Sequence, residues 1–242
     1  AKSSNLYHLN LEVFPLKKMN VVDFGDANCP PSSLEKSHEA VEKKVTEALD
    51  ADAIPIVLGG DHSITLPSAT AVAKKYGYGN VGMVHFDAHA DTRESSYGDV
   101  LIGHGSPMRR LIERGAIPGK NFVQIGLRGP WPYPKNLKWM KDQGMRWHLM
   151  AEIEKKGFDE VLEMAISEAL DGPDKLYISV DVDVMDPAFA PGTGTPEPGG
   201  ISSLELLRAI REIVLSKGMV AMDVVEVAPI YDQPGDITAQ AA

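Results

Sequence analysis

The sequence lacks a long apolar run, has a single cysteine, and contains no block of basic residues. No stretch reaches the about 18 apolar residues that a membrane-spanning helix needs. Cys29 is alone, so no intrachain disulfide can form, and a reducing compartment is compatible. The formal net charge of -10 disfavours nucleic acid as a partner. No secretory signal is visible at the start. We therefore expect a cytoplasmic protein that binds neither nucleic acid nor membranes.

The composition is that of an ordinary globular protein. The chain has 242 residues, of which 43% are hydrophobic and 24% are charged. At about 100–200 residues per domain, with α/β folds often longer, this length predicts one domain over residues 1–242.

Apolar segments of strand length alternate along the chain with amphipathic segments of helix length. This alternation predicts an α/β fold, with three layers (α/β/α) and a mostly parallel sheet. At the start of the first helix, Ser32 with Glu35 fits a capping box and Ser33 with Lys36 fits it poorly. The predicted strands are 21–24, 55–58, 81–86, 122–125, 176–180 and 220–227, and the predicted helices are 34–49, 65–76, 107–114, 136–143, 158–170 and 203–216.

The most informative stretch is residues 84–91, an apolar run that ends in alternating carboxylates and imidazoles. If the backbone stays extended, Asp87, His89 and Asp91 point to the same side. Carboxylates gathered in this way repel one another and lose solvation, so they need a positive partner. His85 is interpreted as a buried structural group that alternates away from the neighbours of Asp87 and lies outside the site.

Four predicted strands run directly into polar groups. In a parallel sheet the carboxyl ends of the strands share one edge, where open α/β sheets bind ligands. Residues that are far apart in sequence should therefore meet at this edge. The first of these strands reaches His62, the second reaches Asp87, His89 and Asp91, the third reaches Asp181 and Asp183, and the fourth reaches Glu226.

The number of these ligands suggests a pair of metal ions. One ion would take His62, Asp87, Asp91 and Asp181, and the other would take His89, Asp87, Asp181 and Asp183. Asp87 and Asp181 would then bridge the pair. Oxygen-rich ligation with one imidazole per ion suits Mn²⁺, with Ni²⁺, Fe²⁺ or Co²⁺ as alternatives. Two cations about 3.5–4 Å apart lower the pKa of a shared water towards neutrality.

Three of these segments resemble the signatures of the ureohydrolases, the arginase and agmatinase family. The segments are 59–63 (GGDHS), 87–91 (DAHAD) and 179–183 (SVDVD). The agmatinase-like branch is indicated by 104–110 (HGSPMRR), 124–129 (QIGLRG) and 193–200 (TGTPEPGG). The runs 128–132 (RGPWP) and 144–147 (GMRW) are similar to members that act on small guanidino compounds, including free guanidine.

The resemblance implies three catalytic roles. Asp91 would orient the attacking water and pass its proton to the leaving nitrogen. His104 would return a proton to bulk solvent, which suits a group that titrates near neutral pH. Glu226 would grip the guanidinium, a planar cation that pairs well with a carboxylate. The family also implies a homo-oligomer, a trimer or a hexamer.

The chain departs from the family pattern in two ways. Members usually carry a further segment before the position numbered 1 and a closing helix after the position numbered 242. Gly103 also stands where relatives often have serine, next to the predicted shuttle His104.

These observations predict a binuclear-metal amidinohydrolase that releases urea from an agmatine-like compound or from free guanidine. Taken singly, the aspartates also suit turns and helix caps, and His62 and His104 also suit plain loop positions. One rival is a one-metal deacetylase of the same broad fold, for which His62, Asp91 and Asp183 would be surplus. The other rival is a non-catalytic subunit that keeps the fold.

Overall fold

Six parallel strands form one sheet in the order β1-β6-β5-β2-β3-β4. The computed structural model describes residues 6–95, 98, 100–216 and 218–242. The strands are β1 Ile56–Leu58, β2 Val81–Phe86, β3 Phe122–Leu127, β4 Arg146–Leu149, β5 Lys175–Asp181 and β6 Ala221–Val225. The helices are α1 Leu34–Asp50, α2 Thr65–Tyr76, α3 Pro107–Glu113, α4 Pro134–Asp142, α5 Met150–Lys156, α6 Phe158–Ala169, α7 Ser203–Ser216 and α8 Ile237–Ala241.

Helices cover both faces of the sheet, which confirms the predicted three-layer α/β/α fold. On one face Val84, Phe86 and Ile178 pack with residues of α5, α6 and α7. On the other face Met83 and Tyr177 pack with residues of α1 to α4. The central strands β2 and β5 are buried along almost their whole length, because each lies between two strands and two helical layers.

The strand order reverses at β2, and this places the crevice of the fold. From β2 the chain moves outward to β3 and β4, then returns to add β5 on the opposite side of β2. The register aligns Phe86 of β2 with Val180 of β5, so the two strands end side by side. Open α/β sheets bind ligands where the strand order reverses, beyond the carboxyl ends of the strands.

Two local predictions were wrong. Residues 21–24 form no strand, and Val21, Val22 and Phe24 are exposed, because none of the described strands pairs with this apolar segment. The N-cap of α1 is Ser33 rather than Ser32. The Ser33 hydroxyl oxygen accepts a hydrogen bond from the Lys36 backbone N–H at 3.3 Å, which satisfies one free donor of the first turn.

The first predicted strand of the site, β1, is an edge strand. Ile56 and Leu58 are 57% and 77% exposed, although the segment reads as a continuous apolar run. The predictions did not include β4, α5 or α8, which are short and carry little periodic signal. Among the described residues, no helix is both long and apolar enough to span a lipid bilayer.

Candidate metal centre

The six predicted ligands come from the carboxyl ends of three strands. His62 opens a short 3₁₀ turn after β1, Asp87 follows β2 directly, and Asp181 is the last residue of β5. Because β1, β2 and β5 run in parallel within one sheet, these ends lie on the same edge. His89 and Asp91 follow Asp87, and Asp183 lies in the 3₁₀ turn after β5. The convergence follows from topology.

The first group of ligands surrounds one imidazole nitrogen. His62 Nδ1 lies 3.2 Å from Asp87 Oδ2, 3.2 Å from Asp91 Oδ2 and 3.1 Å from Asp181 Oδ2. His62, Asp87 and Asp181 are buried. Three carboxylate oxygens therefore lie within 3.2 Å of one imidazole nitrogen. The assignment of these four residues to the first ion stays a prediction.

The second group is arranged around His89. His89 Nδ1 lies 2.9 Å from Asp183 Oδ2 and 3.5 Å from Asp87 Oδ1, so Asp87 faces both groups. The ligand atoms of His89, Asp87 and Asp183 all lie within 4.8 Å of one another. Asp181 is oriented towards the first group, since its Oδ1 accepts the Asp183 N–H and its Oδ2 faces His62. Its share in the second group stays a prediction.

The titration of the cluster shows how strongly its charges interact. Burial, and then the charges of Asp183 and Asp87, raise the pKa of Asp181 well above its usual value. Burial and the charge of Asp87 raise the pKa of Asp183 to about 6. Burial lowers the pKa of His89, but hydrogen bonds with Asp183 and Asp87 outweigh it and raise the pKa to about 11.

Glu226 joins this rim through the backbone. It follows β6 with φ +66°, the left-handed region that non-glycine residues rarely adopt. Its Oε1 accepts a hydrogen bond from the His62 N–H at 2.7 Å. Burial raises the pKa of Glu226. Asp91, at φ +49°, shares the unusual backbone conformation, and such residues cluster at functional sites.

Comparisons with known proteins agree with this arrangement. The sequence profile of the Arginase family matches residues 1–242. The chain belongs to the arginase family. The mitochondrial agmatinase of Gallus gallus is 39% identical over 232 residues, which are 95% of this chain and 66% of that protein. The guanidinopropionase of Pseudomonas aeruginosa is also 39% identical, over 95% of this chain and 70% of that protein.

A solved structure shows that the fold is shared as well. The proclavaminate amidinohydrolase of Streptomyces clavuligerus superposes with a TM-score of 0.81 at 38% identity, over 90% of this chain and 70% of that one. The chain thus spans about two thirds of the length of the relatives it matches. The predicted ureohydrolase family and its α/β fold are both confirmed.

The interpretation of His85 in this arginase-family chain was wrong in its orientation. His85 is fully buried, as predicted, but it shares the strand face of Asp87 because it lies two positions before Asp87 in the sequence. His85 Nε2 lies 2.9 Å from Asp87 Oδ2, and its ring centroid is 4.9 Å from that of His62. Gln124 Nε2 lies 2.8 Å from its other nitrogen, Nδ1. His85 therefore lies between Gln124 and Asp87 and contacts the Asp87 carboxylate.

His104 lies at the surface of the protein. It is exposed, and the neighbouring Gly105 accepts a hydrogen bond through its carbonyl from the Arg93 N–H at 2.9 Å. Arg93 is two residues from Asp91, so the two chain segments run side by side. His104 is thus an exposed residue on a segment that runs beside the one carrying Asp91, and its role as proton shuttle stays a prediction.

Arg128 was quoted in a family motif and given no role. Its guanidinium donates to backbone carbonyls of three segments, including Gly126 O at 3.1 Å, Asp183 O at 2.7 Å and Glu197 O at 2.6 Å. It thereby ties the end of β3 to the turn that carries Asp183 and to the loop that follows. An arginine at the end of a buried strand was the available signal.

The residues present fit metal ions. Asp87 Oδ2 is buried and has no hydrogen-bond partner among the described residues, although it faces His62 and His85. A buried carboxylate oxygen is costly unless a donor or a cation satisfies it. The ligand atoms of His62, His85 and Asp87 also lie within 4.8 Å of one another. The donor set is that of divalent cations.

Proposed function

We propose that this chain hydrolyses a guanidino C–N bond of a small guanidino compound, releasing urea and an amine or ammonia. The observation that carries the proposal is the meeting of His62, Asp87 and Asp181 with Glu226 at one rim. A set of metal ligands beside a carboxylate that keeps an oxygen for a cation is the arrangement that hydrolysis of a planar cationic substrate requires.

The donor set suits two divalent cations, Mn²⁺ first and Ni²⁺ as the alternative, because oxygen ligands predominate and each group has an imidazole. When bound, such ions offset the carboxylate charges and lower the pKa of a nearby water. The first group would hold one ion and the second group the other, with Asp87 shared between them.

Glu226 would bind the substrate. One of its oxygens is held by the His62 N–H, so the carboxylate has a fixed direction and keeps lone pairs for the guanidinium. Charge-assisted hydrogen bonds between a carboxylate and a guanidinium are strong and directional.

Asp91 and His104 would handle protons. Asp91 would orient the attacking water and carry a proton from it to the leaving nitrogen, so that the C–O bond forms as the C–N bond breaks. His104, which is exposed, would exchange the remaining proton with solvent.

For the substrate we place agmatine-like compounds first and free guanidine next. Two relatives, the agmatinase and the guanidinopropionase, have names that specify small guanidino compounds. The resemblance of 128–132 and 144–147 to members that act on such substrates supports the same class.

The test is a urea-release panel with metal-depleted protein reconstituted with Mn²⁺ or with Ni²⁺. Guanidine, agmatine, guanidinobutyrate and arginine are the substrates, and Asp91→Asn is the inactive control. We expect urea from at least one of the small compounds and two ions per chain. Folded protein with two ions and no urea would indicate a non-catalytic subunit. One zinc ion per chain together with deacetylase activity would favour a one-metal deacetylase of the same broad fold.

A further inference from the structure

A buried line of polar groups extends from His62 away from the cluster. His62 Nε2 lies 2.9 Å from Ser179 Oγ, and Ser179 Oγ donates to Asp223 Oδ1 at 2.8 Å. Tyr177 OH donates to Asp223 Oδ2 at 2.6 Å. Ser179, Asp223 and Tyr177 are fully buried. None of these three side chains has a role in the proposed reaction.

The sheet register produces this line. Ser179 of β5 and Asp223 of β6 are direct partners across the two parallel strands, so their side chains lie on the same face. Tyr177 precedes Ser179 by two residues on that face, and Met222 and Val224 flank Asp223 in an apolar strand. Burying a carboxylate in such a strand costs free energy, whereas an apolar residue would suit the strand itself.

Hydrogen-bond accounting fixes the direction of every bond in the line. An ionised carboxylate only accepts, so Asp223 takes the hydrogens of both Tyr177 and Ser179. The single hydroxyl hydrogen of Ser179 is then used, so its oxygen can only accept from its other neighbours, His62 Nε2 at 2.9 Å and Thr65 Oγ1 at 3.5 Å. His62 Nε2 must therefore carry a hydrogen.

This assignment frees the other nitrogen of His62 for a cation. In the neutral imidazole, a hydrogen on Nε2 leaves a lone pair on Nδ1. His62 Nδ1 is the atom that faces Asp87, Asp91 and Asp181. Metal-binding histidines usually donate their second N–H to a carboxylate or carbonyl, which fixes the tautomer and the ring plane.

We propose that Ser179 and Asp223 are positioning residues that hold His62 as the Nε2–H tautomer for the first ion. Asp223 accepts the hydroxyl hydrogen of Ser179, which leaves the Ser179 oxygen to accept the Nε2–H of His62. The inference rests on the proposed metal centre and concerns only its first group. His89 and Asp183 belong to the second group. Among the residues that the structure describes, neither forms a hydrogen bond with Ser179 or Asp223.

The test titrates metal-depleted protein with Mn²⁺ by calorimetry and by electron paramagnetic resonance. In Ser179→Ala the acceptor for Nε2–H is lost, and we expect binding of the first ion to weaken about 10- to 100-fold. Binding of the second ion should stay close to wild type. The resonance of the loaded protein should change from that of a coupled ion pair to that of isolated Mn²⁺.

Asp223→Asn is the second variant, because it preserves the size of the side chain. Its amide can donate to Ser179 Oγ, which turns the serine hydroxyl towards Nε2 and favours the wrong tautomer. We expect the same selective loss of the first ion. The matched control is Thr70→Val in α2, which removes a buried hydroxyl that donates only within its own helix, to Leu66 O at 2.6 Å.

Wild-type affinity at both sites in folded Ser179→Ala and Asp223→Asn would overturn the inference. Equal weakening of both ions would also overturn it, because that result indicates a general structural role. Since these readouts are metal affinities, they decide the inference even if wild-type protein with two ions releases no urea.

Discussion

Glu226 and His62 are joined by a hydrogen bond, although 164 positions separate them. A second hydrogen bond joins Glu226 to Gly60, two residues before His62. Glu226 Oε1 accepts the His62 N–H at 2.7 Å, and the Glu226 N–H donates to Gly60 O at 3.1 Å. The end of β6 and the turn after β1 therefore form one unit. The Glu226 carboxylate, which is proposed to bind the substrate, is thereby held at a fixed position relative to the proposed metal ligand His62.

This relationship predicts the effect of Glu226→Gln. Glutamine keeps an oxygen that can accept the His62 N–H, so the metal centre should bind its ions as before. The charge that faces the guanidinium is lost, and kcat/KM should fall about 10- to 100-fold, as expected for a hydrogen bond to a charged group. Steady-state urea release with parallel metal analysis measures this. An unchanged kcat/KM would remove Glu226 from substrate binding.

His104→Asn tests the proposed proton shuttle. Because His104 is exposed and is not one of the predicted metal ligands, its loss should leave folding and metal content unchanged. We expect kcat to fall about 100-fold at neutral pH, the lower end of the range of proton-transfer contributions, while KM changes little. If kcat is maintained, protons leave by another route. Glu160→Gln in α6, far from the cluster in sequence, serves as a surface control.

Arg128→Met should destabilise the protein and disturb the second group of ligands. Methionine has a similar length but leaves the carbonyls of Asp183 and Glu197 without their donor. We expect the free energy of unfolding to fall by about 2–4 kcal/mol, because several hydrogen bonds from a charged group are lost. Arg128→Lys should lose less, since it keeps some of these bonds.

Arg146→Met is the matched control for Arg128. Arg146 has a partly exposed ion pair with Glu168 at 3.3 Å, and such pairs contribute about 0–1 kcal/mol. Urea-induced unfolding of the metal-depleted variants measures both changes. Equal losses in the two variants would show that the carbonyl contacts of Arg128 add nothing to an ordinary surface charge.

Metal binding should release protons. The pKa of His89 is raised to about 11, so at pH 7.5 its imidazole is protonated in metal-free protein and must lose that proton to bind an ion. The pKa of Asp183 is raised to about 6, so below that pH a second proton must leave. Metal affinity should therefore rise with pH, most steeply below about pH 6, where both protons compete with the ion.

Calorimetry in buffers of different ionisation enthalpy measures this release. We expect at least one proton per chain at pH 7.5 and a larger number at pH 5.5. A proton count of zero at both pH values would show that the ligand groups are already deprotonated, which would contradict the raised pKa values of His89 and Asp183.

Local pattern was sufficient to predict much of the centre. The prediction needed only apolar runs of strand length that end in aspartate, histidine or glutamate, together with the rule that parallel strands share a carboxyl edge. Asp87, Asp181 and Glu226 stand at strand ends for this reason, while their roles stay predictions. The same pattern failed at residues 21–24, where an apolar segment has no described strand beside it.

What the sequence by itself determined is which side chains stand at the ends of strands, because that information is contained within each segment. Only the tertiary structure decided which strands are neighbours and in what register. That pairing puts Asp223 beside Ser179 and joins both to His62. It also brings His85 into contact with Asp87, and it lets the Arg128 guanidinium donate to the backbone carbonyl of Asp183. These contacts depend on atoms from distant segments, and no local pattern records how such segments meet.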